Sequence, residues 1–267
     1  MSRLPLRLVA SAGLLACAST GASALSLDVT VTNTQSAGGL YLTPFLSVFH
    51  DGTYDAFDAG SAPSAGVEAI AEDGDVSVEI AAIGTSDTRQ VEVVANPGGF
   101  PGAPVLDPGE STTITVDVDP TKTQFFSFLS MVIPSNDNFI GNDNPLAYRL
   151  FDANGMPTAL NLITVTADMV WDAGTEANNG FGAAFSSMGG TATETNEGIS
   201  LQGDLSFLTS IATPPGVTVT SAPSGRETLA TIAFAPTPTP VPLPAGLPLA
   251  LVGLAALGLV ARLQKPA

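Results

Sequence analysis

Many short apolar segments, separated by turns rich in glycine and proline, constrain the fold of this chain more than any other feature. Residues 25–33 alternate strictly between apolar and polar side chains, which is typical of a strand with one buried face. Residues 125–133 are apolar almost throughout, which is typical of a strand at the centre of a sheet. Roughly nine or ten such segments occur without a convincing helical period, so we predict an all-β domain in which two antiparallel sheets form a sandwich.

The remaining strand candidates and the segments between them complete this prediction. Pro44 interrupts one candidate and places it at a sheet edge or a bulge, because proline cannot donate a hydrogen bond to a neighbouring strand. Residues 51–75 are predicted to form a long surface loop, and residues 177–203 a long irregular excursion. The other candidate strands are residues 41–49, 76–80, 90–94, 112–118, 147–151, 162–170, 217–220 and 228–234.

The first 24 residues have the pattern of a secretory signal peptide. Arg3 and Arg7 precede a short apolar core, and Ala22-Ser23-Ala24 fits a cleavage site with small residues, so we expect export. A competing interpretation is a lipoprotein motif at residues 14–17, in which lipid is attached to Cys17. Because Cys17 is the only cysteine, the exported domain at residues 25–234 has to fold without disulfides.

The end of the chain predicts a linker, a membrane anchor and a short basic tail. Residues 235–244 have proline at every second position, which favours an extended polyproline linker and forbids pairing in a sheet. Residues 245–261 are uncharged, apolar and long enough for a single transmembrane helix. The basic tail at residues 262–267 places the carboxyl terminus in the cytoplasm. We therefore expect the domain to be held at the outer face of the inner membrane.

The charge of the chain is strongly acidic, with 25 acidic residues, eight basic residues and a formal net charge of −17. Only four of the basic residues lie in the central part of the chain, which contains all of the acids. Such a surface repels nucleic acid and anionic lipid headgroups and attracts divalent cations. A simpler interpretation, that acidity keeps an exported protein soluble, accounts for the bulk charge equally well. A cation site therefore has to be argued from particular acids.

Three acidic residues are candidate metal ligands. Asp172 and Glu176 lie on one short loop that begins at Trp171, and Gly174 lets its backbone turn sharply. Asp137 follows another strand-like segment. If the two strands are neighbours, the three carboxylates meet at one end of a sheet, where they repel one another unless a cation lies between them. Hard oxygen ligands of this kind suit calcium, although chance proximity is an alternative in so acidic a chain.

Two motifs carry a family resemblance. The segment Pro134-Ser-Asn-Asp-Asn-Phe-Ile-Gly141, followed by Trp171-Asp-Ala-Gly-Thr-Glu176, resembles the spondin amino-terminal domain of animal matrix proteins and secreted bacterial proteins, over roughly residues 27–234. The resemblance implies a β-sandwich that holds calcium through Asp137, Asp172 and Glu176. Animal members usually have aspartate at the position of Glu176, and they carry disulfides that this chain cannot form. Further oxygen ligands are expected from neighbours such as Asn136, Asn138 and Asp143.

A second resemblance concerns sorting. The segment Val241-Pro-Leu-Pro-Ala245, before the apolar segment, resembles the VPLPA form of the PEP-CTERM signals of Gram-negative bacteria. In that family an exosortase-type membrane protease cuts near the motif and passes the protein to the cell surface. The resemblance implies anchoring in the inner membrane before processing and a cell-surface or extracellular location afterwards.

Together these observations predict a secreted, surface-anchored, calcium-binding β-sandwich with a structural or adhesive role in the extracellular matrix. Its expected partner is a matrix polysaccharide or a surface protein. The alternative is a surface hydrolase that cuts matrix polysaccharide with paired carboxylates. A third interpretation, recruitment to lipid by calcium, needs basic or apolar loop tips, and these are scarce. His50 is the only histidine and no Gly-x-Ser-x-Gly motif accompanies it, so we predict that it is not catalytic and that the protein is not an enzyme.

Overall fold

A computed structural model describes residues 24–96, 103–214 and 218–237 of the 267-residue chain. Nearly all of the signal peptide, Cys17, most of the linker, the apolar segment 245–261 and the basic tail lie outside these residues. Within the described ranges no helix is both long and apolar enough to cross a membrane. The elements are β1 (Leu25–Asn33), β2 (Tyr41–Leu42), β3 (Phe45–His50), α1 (Ala65–Asp73), α2 (Ser77–Ile83), β4 (Arg89–Val94), β5 (Ser111–Val118), β6 (Phe125–Ile133), β7 (Asn138–Gly141), β8 (Tyr148–Arg149), β9 (Leu162–Thr166), β10 (Val170–Asp172), β11 (Ser200–Leu201) and β12 (Thr228–Pro236), with short 3-10 helices at Ala167–Met169 and Ser206–Ser210.

The strands form two antiparallel sheets in a sandwich-like arrangement, which confirms the predicted fold class for the described residues. The smaller sheet has the order β5-β1-β12-β9. The larger sheet has the order β11-β10-β7-β6-β3-β4, and β2 and β8 also pair with β6. β6 therefore lies inside the larger sheet, between β3 and β7, as its continuous apolar sequence predicted.

The main hydrophobic core fills the space between the two sheets. Leu27, Val29 and Val31 point inward from β1 and belong to the same buried cluster as Phe49 and Phe126 of the larger sheet. The rings of Phe49 and Phe126 are 5.2 Å apart in an edge-to-face arrangement. Burial of apolar surface here is the main stabilising contribution, at about 25 cal/mol per Å².

A second core lies on the opposite face of the larger sheet, beneath α1 and α2. Val67 and Ile70 of α1 share a buried cluster with Leu46, Leu129 and Phe139 of the strands. Every residue of β3 and β7, and all but the first residue of β6, is buried. Because the larger sheet is covered on both faces, its central strands do not need a polar side.

The outer face of the smaller sheet is open to solvent and carries hydroxyl groups. The hydroxyl oxygens of Thr30 and Thr113 are 2.8 Å apart, and those of Thr32 and Ser111 are 2.7 Å apart. Two further cross-strand pairs of β1 and β5 each join a hydroxyl donor to an aspartate. Alternation in these strands thus separates an apolar core face from a polar solvent face.

Two sequence predictions about the helical layer are wrong. The loop predicted at residues 51–75 contains α1, and the strand predicted at residues 76–80 forms most of α2. The hydroxyl of Ser64 caps α1 by accepting a hydrogen bond from the N–H of Val67 at 3.2 Å, and Gly74 ends it with a φ of 68°. Both helices are too short for a clear period, so packing against the sheet decides their conformation over local propensity.

Several strand predictions also differ from the structure. The candidate at residues 41–49 forms two strands, β2 and β3, with Pro44 between them, and β3 lies inside the larger sheet and not at its edge. The candidate at residues 162–170 is split by the 3-10 helix at Ala167–Met169, so that β9 joins the smaller sheet and β10 the larger. Residues 218–220 are not in a strand. β12 continues to Pro236, which pairs with Leu27, although the linker was predicted not to pair. Beyond Ala233 β12 has only β1 as a strand neighbour, and proline is tolerated at such an edge.

Candidate metal centre

Two neighbouring strands bring Asp137 and Asp172 together at one end of the larger sheet. β7 and β10 pair in antiparallel fashion, with Asn138 opposite Asp172. Asp137 immediately precedes β7, and its carbonyl oxygen accepts a hydrogen bond from the N–H of Ala173 at 3.1 Å. The strand that leads into Asp172 is β10, and not β9, which forms the first part of the segment predicted as one strand at residues 162–170.

The loop that follows Asp172 is fixed by close backbone packing. Gly174 has a φ of 71°, and a Cβ added there would lie 2.8 Å from the backbone of Glu197. The N–H of Glu197 donates to the carbonyl of Gly174 at 2.6 Å, and the N–H of Thr195 donates to the carbonyl of Thr175 at 2.9 Å. Only glycine combines this conformation with this approach, so the turn predicted at Gly174 has a steric cause.

The carboxylate of Asp137 is fully buried, and its two oxygens have different surroundings. Oδ2 accepts hydrogen bonds from the N–H of Thr175 at 2.9 Å, the N–H of Glu176 at 3.0 Å and the hydroxyl of Thr175 at 3.3 Å. Oδ1 is also buried, but it has no hydrogen-bond partner among the described residues. The three donors therefore fix the carboxylate while one buried oxygen keeps its full capacity to bind a cation.

Asp172 lies beside Asp137 and is the second carboxylate of the site. Its Oδ1 accepts a hydrogen bond from the N–H of Gly174 at 2.7 Å, and its Oδ2 accepts one from Nδ2 of Asn178 at 2.9 Å. Burial and the neighbouring carboxylate of Asp137 raise the pKa of Asp172 to about 6. Burial also raises the pKa of Asp137, against the opposing effect of its hydrogen bonds. A bound cation would relieve the repulsion between the two groups.

Glu176 is on the same loop, but its carboxylate is directed elsewhere. Its Oε2 accepts a hydrogen bond from Nδ2 of Asn136 at 3.0 Å. Burial raises the pKa of Glu176, and the carboxylates of Glu194 and Asp73 raise it further, whereas Asp137 and Asp172 are not among its main influences. Within the described ranges, no group of three or more histidine, cysteine, aspartate or glutamate side chains is arranged to hold a metal ion. The carboxylates of Asp137 and Asp172 are thus brought together, whereas Glu176 contacts Asp137 through its backbone N–H and directs its carboxylate to Asn136.

The expected additional ligands also have different positions. Oδ1 of Asn136 is occupied by the N–H groups of Asn179 and Gly180, at 3.1 and 2.7 Å. Asp143 accepts a hydrogen bond from the N–H of Ala59, in a different loop. Asn138 is buried beside the pair, and its Oδ1 has no hydrogen-bond partner in the part of the chain that the structure describes. Asn136 is therefore an organiser of the loop, whereas the oxygen of Asn138 stays free.

A comparison with known families decides the relationship of the chain. The family model described as Spondin_N matches residues 36–201. The chain belongs to the Spondin_N family. Comparison with curated proteins finds no significant match. The matched residues contain Asp137, Asp172 and Glu176 and every strand of the larger sheet, whereas β1 and β12 of the smaller sheet lie wholly outside them.

The site of this Spondin_N domain also contains residues that the sequence analysis missed. Asn178 donates to Asp172, and its own Oδ1 is buried without a hydrogen-bond partner among the described residues. Its only sequence signal was an amide two residues beyond Glu176 in the same loop. Buried oxygens from Asp137 and Asn178 next to Asp172 are the hard donors that calcium prefers, so the residues present fit this ion.

An acidic cleft of the Spondin_N domain adjoins this site. It has a volume of about 170 Å³ and is lined in part by Glu68, Glu194 and Glu197. Near it, burial raises the pKa of Glu72 to about 7, and the carboxylate of Glu176 adds to this shift. Glu72 lies in the segment that was predicted to be a loop, where no sequence pattern marked it as a functional residue.

His50 is buried at the end of β3, away from this acidic end. Its Nδ1 accepts a hydrogen bond from the N–H of Gly52 at 3.0 Å, so the ring proton belongs on Nε2, which is 3.0 Å from the hydroxyl of Ser127. Ser127 also receives a hydrogen bond from Asn142 at 2.9 Å. In this tautomer the ring donates to Ser127 and cannot accept its proton, so the contact does not have the polarity that a nucleophilic serine needs.

Proposed function

We propose that the protein is a secreted, surface-anchored Spondin_N domain that binds calcium and has a structural or adhesive role in the extracellular matrix. Membership of the Spondin_N family is consistent with an extracellular structural or adhesive protein. The observation that carries the calcium proposal is Oδ1 of Asp137, a buried carboxylate oxygen without a partner among the described residues, next to Asp172. Such an oxygen loses its hydration on folding, and a divalent cation compensates this loss.

Asp137 and Asp172 are the proposed principal ligands, with Glu176 as the third position of the family pattern. Calcium supplies positive charge between carboxylates that otherwise repel each other. The chain fixes the ligands in advance through the hydrogen bonds to Oδ2 of Asp137 and the turn at Gly174. The ion thereby tightens the loop at one end of the larger sheet, where a rigid surface serves adhesion.

Localisation and partners extend this proposal to residues 1–23 and 238–267, which the structure does not describe. We propose export by the signal peptide, anchoring by the apolar segment 245–261 and processing by an exosortase-type protease at the Val241–Ala245 motif. Cell fractionation tests the anchor. The full chain should fractionate with membranes, and a chain truncated before Val241 should not. Membrane retention of the truncated chain would instead favour lipid attachment at Cys17.

The calcium proposal is tested by thermal and denaturant unfolding of the full chain in mild detergent, with chelator, calcium or magnesium. For a loop-built extracellular site we expect a dissociation constant of about 10⁻⁴ to 10⁻³ M. Calcium at a hundred times that constant then adds about 2.7 kcal/mol to the free energy of unfolding. Magnesium should add less, because it requires tighter octahedral geometry and releases water reluctantly.

Asp172→Asn is the decisive variant for this test. It should remove most of the calcium effect without lowering stability in chelator, because one of two repelling carboxylates is gone. Asp87→Asn is the matched control, since Asp87 is an exposed aspartate outside the site, and its calcium response should equal that of the wild type. Equal stability of the wild-type protein in chelator and in saturating calcium would disprove the metal site.

A second candidate function, hydrolysis of matrix polysaccharide, is favoured by one observation. Burial raises the pKa of Glu72 to about 7, so this carboxyl is partly protonated near neutral pH, as a general acid in a glycosidase needs, and it lies near the cleft that Glu68, Glu194 and Glu197 line. The test is release of reducing sugar from matrix polysaccharide by the full chain. Activity that Glu72→Gln abolishes, in a protein that is still folded, would establish the hydrolase and overturn the non-enzymatic proposal.

A further inference from the structure

The structure assigns Asn178, and not Glu176, as the third side-chain calcium ligand of this chain. This inference rests on the proposed calcium function and goes beyond it, because it replaces one member of the family's acidic pattern by an amide. Three side chains on one loop, those of Asp172, Glu176 and Asn178, have different hydrogen-bond partners. It also predicts a weaker and less highly charged site than three carboxylates would form.

Asn178 contacts the aspartate pair, and its amide has one oxygen without a partner. Nδ2 donates to Oδ2 of Asp172 at 2.9 Å, and the same amide also interacts with the carboxyl of Asp137. Oδ1 of Asn178 and Oδ1 of Asp137 are both buried without hydrogen-bond partners among the described residues. Buried oxygens without a partner are unfavourable in the absence of a cation, since each retains a desolvation penalty. Oδ1 of Asn138 is a third such oxygen, but the amide nitrogen of Asn138 is directed to Trp171 and Gln202, whereas that of Asn178 contacts Asp172.

The amide of Asn178 can donate a hydrogen bond to the carboxylates without calcium and can supply an oxygen ligand when calcium binds. Its N–H₂ group is a donor that balances the two carboxylates, and rotation about the Cβ–Cγ bond exchanges the positions of the nitrogen and the oxygen. After this rotation, Oδ1 of Asn178 points to the position that Nδ2 had beside Asp172. Amide carbonyl oxygens are regular calcium ligands in loop sites, so the exchange satisfies Oδ1 when calcium binds.

A hydrogen bond to Asn136 holds the carboxylate of Glu176 away from the aspartate pair. Asn136 is fully buried and makes four hydrogen bonds, to Glu176, to the carbonyl of Phe181 and from the N–H groups of Asn179 and Gly180. Moving the carboxylate of Glu176 to the aspartate pair would break its bond to Asn136 and leave a buried amide N–H unsatisfied. Glu176 is therefore a positioning residue that ties the loop to Asn136.

Terbium luminescence of the full chain tests this assignment directly. Trp171 is the only tryptophan of the chain and is adjacent to Asp172, so it should sensitise emission from terbium bound at the site. Competition by calcium then gives the calcium affinity for each variant. We expect Asn178→Ala to weaken calcium binding about tenfold or more, and Glu176→Gln to change it less than about threefold, as loss of a ligand exceeds loss of a positioning contact.

Two further variants complete the experiment. Asn178→Asp keeps an oxygen ligand and adds charge, so calcium should bind at least as tightly as to the wild type while stability in chelator falls, because a third carboxylate repels the pair. Asn179→Ala is the matched control at the neighbouring, exposed amide and should bind calcium like the wild type. Asn178→Asp also keeps the test valid if Asn178→Ala fails to fold.

The outcomes separate this inference from the proposed function. Calcium binding that Asp172→Asn abolishes but Asn178→Ala leaves unchanged would retain the calcium site and overturn the assignment of Asn178. A tenfold loss in Glu176→Gln would likewise return Glu176 to the ligand set and overturn it. Absence of terbium and calcium binding to the wild-type chain would overturn both the inference and the calcium function.

Discussion

The smaller and the larger sheet share one core, but they differ in what lies against their other faces. Outer residues of the smaller sheet, such as Thr30 and Thr113, are solvent-facing and pair through hydroxyl groups. The larger sheet is covered by α1 and α2, and several polar residues in or next to its central strands, including His50 and Asp137, are buried. Coverage on both faces buries polar groups of the sheet. Burial strengthens the electrostatic interactions of these groups, because it removes competing water. The candidate metal centre is accordingly on the larger sheet.

The largest loss of stability is expected from a substitution in the helical layer formed by α1 and α2. Ile70→Ala removes a fully buried side chain of α1 from the second core and should lower the free energy of unfolding by about 2–5 kcal/mol. Val78→Ala in α2 is the control, since Val78 is 39% exposed and its truncation should change stability by less than about 0.5 kcal/mol. Denaturant unfolding measures both. If both variants lost only a small free energy of unfolding, packing of the helices on the larger sheet would not contribute to stability.

Burial within the larger sheet should also give a pH dependence that the smaller sheet lacks. Burial lowers the pKa of His50 from 6.5 to about 4, so the native state favours the neutral ring. The corresponding stability is fully present above pH 6.5 and is lost as pH falls from 6.5 towards 4, by at most about 3 kcal/mol. Carboxyls with raised pKa values act in the opposite direction, so the measured quantity is the difference in acid dependence between wild type and His50→Gln.

The variant His50→Gln should unfold with less loss of stability between pH 7 and 4.5 than the wild type. Identical pH slopes for the two proteins would show that His50 titrates normally in the folded state. A Leu146→Ala variant, changed at an apolar side chain that is 55% exposed and lies near Gly52, should keep the wild-type slope and controls for a general weakening of this region.

A smaller loss of stability is expected where α1 and α2 are in close contact. A Cβ added at Gly66 in α1 would lie 2.0 Å from Oε2 and 2.8 Å from Cα of Glu79 in α2. Gly66→Ala should therefore destabilise the protein by about 1–3 kcal/mol, despite the better helix propensity of alanine. Gly203→Ala, where the added group meets nothing within 4 Å, should be nearly neutral in the same melting experiment. A stabilised Gly66→Ala protein would show that the helices can separate without loss.

The smallest effect is expected on the open face of the smaller sheet. Replacing both members of a hydroxyl pair, Thr30→Val with Thr113→Val, removes a hydrogen bond that water can replace and leaves no buried unsatisfied group. The free energy of unfolding should change by less than about 0.5 kcal/mol. The single variant Thr30→Val is the control for the paired change. A loss of 2 kcal/mol or more in the double variant, well above the ~1 kcal/mol of a typical hydrogen bond, would mean that this face is covered.

The sequence predicted the smaller sheet better than the layer over the larger one, for a physical reason. Alternation in β1 and β5 reports a solvent face and a core face, so each strand could be located from its own residues. The apolar sequence of β6 predicted its central place but could not say what covers each face. The helices were missed because α1 and α2 are short, and only packing on the sheet stabilises them.

Some features of the candidate site likewise follow from the local sequence, whereas others depend on the tertiary structure. The acidic loop, the turn at Gly174 and the identity of the acids follow from local sequence, and the two motifs indicated the family. Whether acids 35 positions apart meet depends on the register between β7 and β10, which brings Asp137 to Asp172. The direction of each side chain depends on partners such as Asn136 and Asn178, which are chosen only when the loop packs. Local period thus determined strands and turns, whereas ligand convergence is a long-range property that only the tertiary structure decided.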